Sequence, residues 1–342
     1  MAEFFMLQRS VSIDYLKCLL AVGVVLGHSI LIHAKLVEWS FLTGMGLLRS
    51  LVPAFSVVSG YCFFVTYNRG KALKWLSGLV VAYLFWTVFY APIWVEPDTT
   101  WRDVAYVFVW GTMHLWYIAG LIVAAILIIA FASLGERTGT GLWPMMISAS
   151  VLAGIGSVLA FLAFYRDWQL PLEFSRNGFT VIFPFAAIGY ALASWVARNG
   201  RDSLPRLGVI WLVVAVLFGL RLGEALFSMR TYGLSLAAMP EIPFLALPAP
   251  VFLFLGFLRM DLPELPVNLS GWSSSIYFLH IFFILAVHRF LGIDSIPVFL
   301  LVGVVVPIIL AQVMERLRPH LARLLRTGKR TVGERGLREG SA

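Results

Sequence analysis

Charge is scarce in this sequence. Only 13% of its 342 residues are Asp, Glu, Lys or Arg, and the long apolar runs contain almost no carboxylates. A soluble domain cannot be built from such a chain, and the near absence of deep acids argues against a proton- or ion-coupled pathway. Cysteine is scarcer still. Cys18 and Cys62 both lie in apolar runs, so no disulfide framework follows and each reads as a small buried hydrophobe. Neither a Walker A motif nor a GxGxxG loop occurs, which excludes direct nucleotide-driven transport. GxSxG is missing, and with it the nucleophile elbow of the serine hydrolases. No HxxxH or HxxE spacing supports a metal site, and none is expected. Internal repeats and low-complexity segments are also wanting, as is a small-residue cleavage site after the first apolar run. That run is read as an uncleaved span.

What the chain has is apolar length: 60% of its residues are hydrophobic. The expectation is an all-α polytopic membrane helix bundle of about ten transmembrane helices. The spans fall near 12–33, 44–67, 73–94, 114–134, 142–165, 178–197, 207–227, 242–258, 271–290 and 295–315. Residues 1–315 thus form a membrane-embedded domain and 316–342 a basic cytoplasmic tail. Lys and Arg in the connections set the orientation. One side, with Arg9, Arg69, Lys71, Lys74, Arg137, Arg198, Arg201, Arg206, Arg259 and the tail, carries 17 basic residues. The other carries seven: Lys35, Arg49, Arg102, Arg166, Arg176, Arg230 and Arg289. Both termini are therefore expected in the cytoplasm and the protein in the plasma (inner) membrane. The tail supplies +6 of the net +8, with Leu317, Leu321 and Leu324 on one face and Gly328 ending the pattern. It reads as a lipid-surface segment and not as a nucleic-acid site.

The first span, SIDYLKCLLAVGVVLGHSILIH, organises the rest. Lys17 and His28 are eleven positions apart, close to three whole turns, so they share a face about 16 Å apart along the axis. An ionisable residue deep in a span marks a functional site by default. His28 is the candidate general base, since a neutral imidazole can take a proton from a hydroxyl and return it. Lys17 is an interfacial anchor, a partner for Asp14, or a phosphate contact. His114 opens HLWYIAGL and can reach a depth near that of His28. Its neighbours Trp116 and Tyr117 are interfacial aromatics or a stacking surface for a sugar ring. His280 lies near mid-membrane in SIYFLHIFF, three positions after Tyr277 and on its face. Ser59 and Gly60 read as a small-residue packing notch as much as a nucleophile, and Arg221 with Glu224 as a local ion pair.

The run RSVSIDYLKCLLAVGVVLGH resembles the first helix of the acyltransferase family 3 membrane proteins, with a basic residue, ten positions and a histidine. The resemblance continues through PAFSVVSGYCFF, RGKALKWL, HLWYIAGLI, FPFAAIGYAL and SSSIYFLHIFF, in order along nearly the whole chain. It implies a membrane O-acyltransferase that moves an acyl group, most often acetyl from acetyl-CoA, to a hydroxyl of an extracytoplasmic or lipid-linked saccharide. By position, His28 would be the catalytic base and Lys17 its basic partner. Arg69, Lys71 and Lys74 would complete a rim for the phosphates of the acyl-CoA, a co-substrate and not a bound cofactor. His114, Trp116, Tyr277 and His280 would line the acceptor side or the pathway. Lys17 stands where many members carry arginine, and the third span lacks the arginines and Pro-Tyr pair common there. The rival expectations are a secondary transporter and a non-catalytic component of an envelope polysaccharide system.

Overall fold

In a membrane every backbone N–H and C=O must be satisfied within the protein, so apolar runs of this length form helices. The computed structural model describes residues 10–33, 37–165, 170–234 and 247–339, with residues 165 and 320–339 described by backbone alone. Among these the chain is all helix and turn, without a strand. The α-helices are α1 (Val11–His33), α2 (Glu38–Phe41), α3 (Leu51–Asn68), α4 (Ala72–Phe89), α5 (Ala91–Trp94), α6 (Trp101–Trp110) and α7 (Trp116–Thr138). They continue with α8 (Trp143–Tyr165), α9 (Phe183–Asn199), α10 (Leu207–Tyr232), α11 (Ala249–Arg259), α12 (Leu269–Leu291) and α13 (Ile296–Glu339). Nine helical segments among the described residues are long and apolar enough to cross a membrane. The remaining expected span, 242–258, is seen only as the short α11, since 242–246 lie outside the described residues.

The span ending in α9 is the centre of the bundle, 72% buried, whereas α4, α8 and α13 bury less than a fifth of their apolar stretch and present the rest to lipid. α9 packs most tightly on α3, and glycine makes that crossing possible. A methyl group at Gly60 would overlap the Ala186 carbonyl oxygen, and one at Gly189 would overlap that of Val57. Close backbone approach through small residues is how membrane helices gain packing energy without a hydrophobic drive. The notch expected at Ser59-Gly60 is this contact. α1 packs against α12, α13 and α3, which brings its face to the interior.

Three departures from regular helix shape the site. The second span does not start cleanly at 44: it enters through α2, a π-helical turn (Leu42–Leu47) and a 3-10 turn (Leu48–Ser50) before α3. The sixth begins with another π-helical turn, Gly178–Ile182, ahead of α9. Between the third and fourth spans lies α6, a short helix the apolar pattern does not announce; Thr100 and Asp103 cap it reciprocally. At the other end of the chain, α13 runs on through Pro319 and Gly328 instead of stopping where the leucine pattern ends. A single glycine costs a helix only about 1 kcal/mol, which the flanking good helix formers offset. The side chains of Leu321 and Leu324 lie outside the described residues.

Candidate active site

α1 delivers His28, the turn ahead of α7 delivers His114, and α12 delivers His280. The three imidazoles meet, with ring centroids 5.2 Å apart for His28 and His280, 5.0 Å for His114 and His280, and 6.4 Å for His28 and His114. A tight turn aims His114. Gly111 adopts φ +81°, where a methyl group would strike the backbone of Trp116, and Met113 adopts φ +50°, an uncommon value for a side-chain-bearing residue. Such backbone strain beside a buried histidine marks a position held for a purpose.

Tyrosines frame the cluster. Tyr277 Oη donates to the His114 carbonyl oxygen at 2.7 Å, and its ring lies 5.3 Å from the His114 ring. Tyr90 packs edge-on against His114 at 5.2 Å and donates to the Phe278 carbonyl oxygen at 2.6 Å. Tyr117 and Ser59 share a hydroxyl hydrogen bond of 2.8 Å one layer away. His280 Nδ1 lies 2.8 Å from the Ile276 carbonyl oxygen and 2.9 Å from that of Tyr277. Carbonyls only accept, so Nδ1 carries the hydrogen and Nε2 keeps its lone pair. That Nε2 and both ring nitrogens of His114 are buried without a hydrogen-bond partner among the described residues. Each such orphan costs about 1–3 kcal/mol, and a substrate or a trapped water is what would satisfy it. Among the described residues no group of three or more His, Cys, Asp or Glu side chains is arranged to hold a metal ion.

Beside the cluster opens a cavity of about 610 Å³. His28 lines it; His114 and His280 do not, being 2% and 0% exposed. Its walls come from α1, both π-helical turns, the end of α8 and the segment before the second π turn. π-helical turns concentrate at functional sites, and here both border one cavity. Trp116 lines it too, with the Arg176 guanidinium 4.8 Å from the ring centroid. Arg221, 1% exposed, holds the first π turn in place. Its Nε donates to the Gly46 carbonyl oxygen at 2.6 Å and its Nη2 to that of Met45 at 3.2 Å. Its role is thus wider than the local pairing with Glu224 suggested by their spacing.

The expected donor residues sit elsewhere. Lys17 Nζ binds Asp14 Oδ1 at 3.1 Å, which favours the ion-pair reading. Arg69, Lys71 and Lys74 are exposed around the turn between α3 and α4. Neither Lys17 nor this rim touches the histidine cluster. So the structure unites His28, His114, Tyr277 and His280, places Trp116 on the adjoining cavity, and leaves the four donor candidates apart. Sequence reasoning missed Tyr90, Arg49, Arg176 and Arg221. The two cavity arginines were visible only as loop charges.

Helices of membrane length around a buried histidine cluster and an adjoining cavity define a multi-pass membrane protein with an enzyme-like site. Residues 10–316 match the family Acyl_transf_3, described as an acyltransferase domain, and the chain belongs to that family. No curated protein and no solved structure matches it. The protein is a multi-pass membrane acyltransferase.

Proposed function

We propose that the protein transfers an acyl group, acetyl in the simplest case, from acyl-CoA to a hydroxyl of an extracytoplasmic or lipid-linked saccharide, with His28 as general base. The observation that carries this is the position of His28, between an open cavity and two buried imidazoles. An acceptor hydroxyl entering the cavity gives its proton to His28 as its oxygen attacks the thioester carbonyl. The tetrahedral adduct then collapses, the C–S bond breaks, and the departing thiolate of CoA takes the proton back from the imidazolium. The ring N–H of a neutral His114 would donate to the oxyanion of the adduct, while the His280 Nε2 lone pair would accept from a hydroxyl. Donor phosphates would lie at the cytoplasmic rim of Arg69, Lys71 and Lys74, with Lys17 shared between Asp14 and the donor. The acyl end would reach inward over the roughly 16 Å that separate Lys17 from His28. On this reading the protein would sit in the plasma membrane with both termini in the cytoplasm.

The test is His28→Ala in purified, correctly inserted protein. General-base catalysis accounts for about 10²–10⁴-fold in rate, so acyl transfer should fall by that factor while thermal stability holds. Turnover close to wild type would remove His28 from the chemistry.

A further inference from the structure

Among the described residues no hydrogen bond holds the His114 imidazole. His280 is anchored through its Nδ1, whereas both ring nitrogens of His114 stand without a partner. The strained turn at Gly111 and Met113 fixes the His114 backbone, and the Tyr277 hydroxyl binds its carbonyl, but neither sets the plane of the ring. The outer torsion of a histidine is broad, so packing decides where the ring nitrogens point. Two tyrosine rings supply that packing. Tyr277 meets the imidazole edge-on at 5.3 Å and 72°, and Tyr90 does so at 5.2 Å and 80°.

Tyr90 is the less expected of the two. It is 0% exposed, yet it ends α4, a helix that gives most of its surface to lipid. Three contacts fix it there. Its hydroxyl donates to the Phe278 carbonyl oxygen at 2.6 Å, on the turn of α12 that also carries Tyr277 and His280. One turn back, the Trp86 ring stacks on that of Phe278 at 4.8 Å with the planes 7° apart. The corner between α4 and α5 is closed by Trp94, whose Nε1 donates to the Thr87 carbonyl oxygen at 3.0 Å. Tyr90 is thus clamped to α12 at its tip and to its own corner at its base, and the ring between them bears on His114.

We propose that Tyr90 is a positioning residue whose ring sets the plane of the His114 imidazole, so that the ring N–H meets the oxyanion of the adduct. This rests on the acyl-transfer reading. Tyr90 itself touches no substrate and moves no proton. Its hydroxyl serves only to hold the ring in place, so a side chain with the ring but without the hydroxyl keeps most of the function.

The experiment is a double-mutant cycle between Tyr90 and His114 in the full-length protein in nanodiscs, with acetyl-CoA as donor and octyl β-glucoside as hydroxyl acceptor. Tyr90→Leu should lower kcat about tenfold to a hundredfold, the range for a reacting group misplaced by up to about 1 Å, with both KM values unchanged. Tyr90→Phe should lose at most about fivefold, the worth of one neutral hydrogen bond. In a His114→Ala protein, Tyr90→Leu should cost nothing more, because the group it positions is gone. An undiminished kcat in Tyr90→Leu overturns the proposal, as does a full further loss on top of His114→Ala. If Tyr90→Leu does not fold, Tyr90→Met takes its place in the cycle, and a Tyr90→Phe protein slowed more than about tenfold overturns the proposal by itself. A readout without turnover separates the proposal from the reading beneath it. Carbethoxylation of His114 by diethyl pyrocarbonate, followed by mass spectrometry, should rise in Tyr90→Leu and stay at the wild-type level in Tyr90→Phe. That result in a protein that transfers no acyl group would defeat the acyl-transfer reading and leave Tyr90 as the residue that positions His114. Equal labelling of wild type and Tyr90→Leu would overturn the positioning itself.

Discussion

Arg221→Met is the perturbation that best tests how the cavity is built. The wild-type guanidinium donates to two carbonyl oxygens, of Gly46 and Met45, at the end of the first π-helical turn. Methionine fills similar space but donates nothing. Two buried acceptors left unpaired cost about 1–3 kcal/mol each. Part of this is returned, because a buried cation carries a desolvation penalty of several kcal/mol. That return is limited here, since Glu224 on the same helix would be left without its neighbouring cation. A net local destabilisation of about 2 kcal/mol remains, confined to residues 42–50. Because each 1.4 kcal/mol is a factor of ten, amide exchange there should quicken about thirtyfold. The assay is hydrogen exchange read by mass spectrometry, with acceptor KM and kcat measured alongside. KM should rise more than kcat falls, as a loosened wall weakens binding before it misplaces His28. Arg221→Lys should rescue little, because one ammonium cannot span both carbonyls with the planar fork. Unchanged exchange at 42–50 in Arg221→Met would refute the reasoning.

At the α3–α9 crossing, Gly60→Ala or Gly189→Ala would drive a methyl group into an opposing backbone carbonyl. Each should lower stability by at least about 1–3 kcal/mol. Gly208→Ala in α10, with nothing near its added carbon, is the neutral control; equal melting temperatures for all three would defeat the packing argument. Tyr277→Phe deletes the 2.7 Å bond to the His114 carbonyl, costs about 1 kcal/mol, and should lower kcat with the donor KM unchanged. An unaltered kcat would leave Tyr277 as packing only. In α6, hydrogen bonds from the Thr100 hydroxyl and backbone N–H hold the Asp103 carboxyl below its ordinary value of 3.8. A depressed acid stabilises at pH above its unfolded value and loses that contribution as pH falls through the folded one. The 13C titration midpoint of Asp103 should thus lie below 3.8 and rise in Thr100→Ala; a midpoint at 3.8 in the wild type would remove the cap's electrostatic role.

The parts of this molecule legible in the sequence are those with a local signature. Apolar runs gave the helices, and an eleven-residue interval set Lys17 and His28 on one face. Loop charge placed His114 and His280 at depths from which they could meet His28. Contact itself has no local signature. Arg221 is three residues from Glu224, so pairing looked sufficient, yet its carbonyl partners lie some 175 positions away. The π-helical turns were equally hidden, since a register shift of one residue leaves composition and hydropathy as they were. Tyr90 has no motif at all; it matters because α4 ends where its hydroxyl meets α12. In the tail, the leucine and arginine pattern stopped at Gly328 while the backbone helix did not.

In the proposed reaction the acceptor and the donor would approach His28 differently. In the described structure His28 lines the cavity and His114 and His280 do not, and the unsatisfied ring nitrogens of those two are buried. On the proposed mechanism an acceptor hydroxyl in the cavity would reach His28 directly, and the paired tyrosines Tyr117 and Tyr277 would be the gate for the donor. Such an order makes chemical sense. A preformed opening on the donor side would admit water to an activated thioester, and water competes with the acceptor hydroxyl for the same base. On the proposed mechanism, closure by Tyr277, whose hydroxyl is committed to the His114 carbonyl, would let the histidines be assembled while the thioester is still outside. The consequence is that variants loosening this layer, Tyr277→Phe first among them, should raise acyl-CoA hydrolysis relative to transfer. A fixed ratio of hydrolysis to transfer would mean that the layer positions His114 without gating the donor.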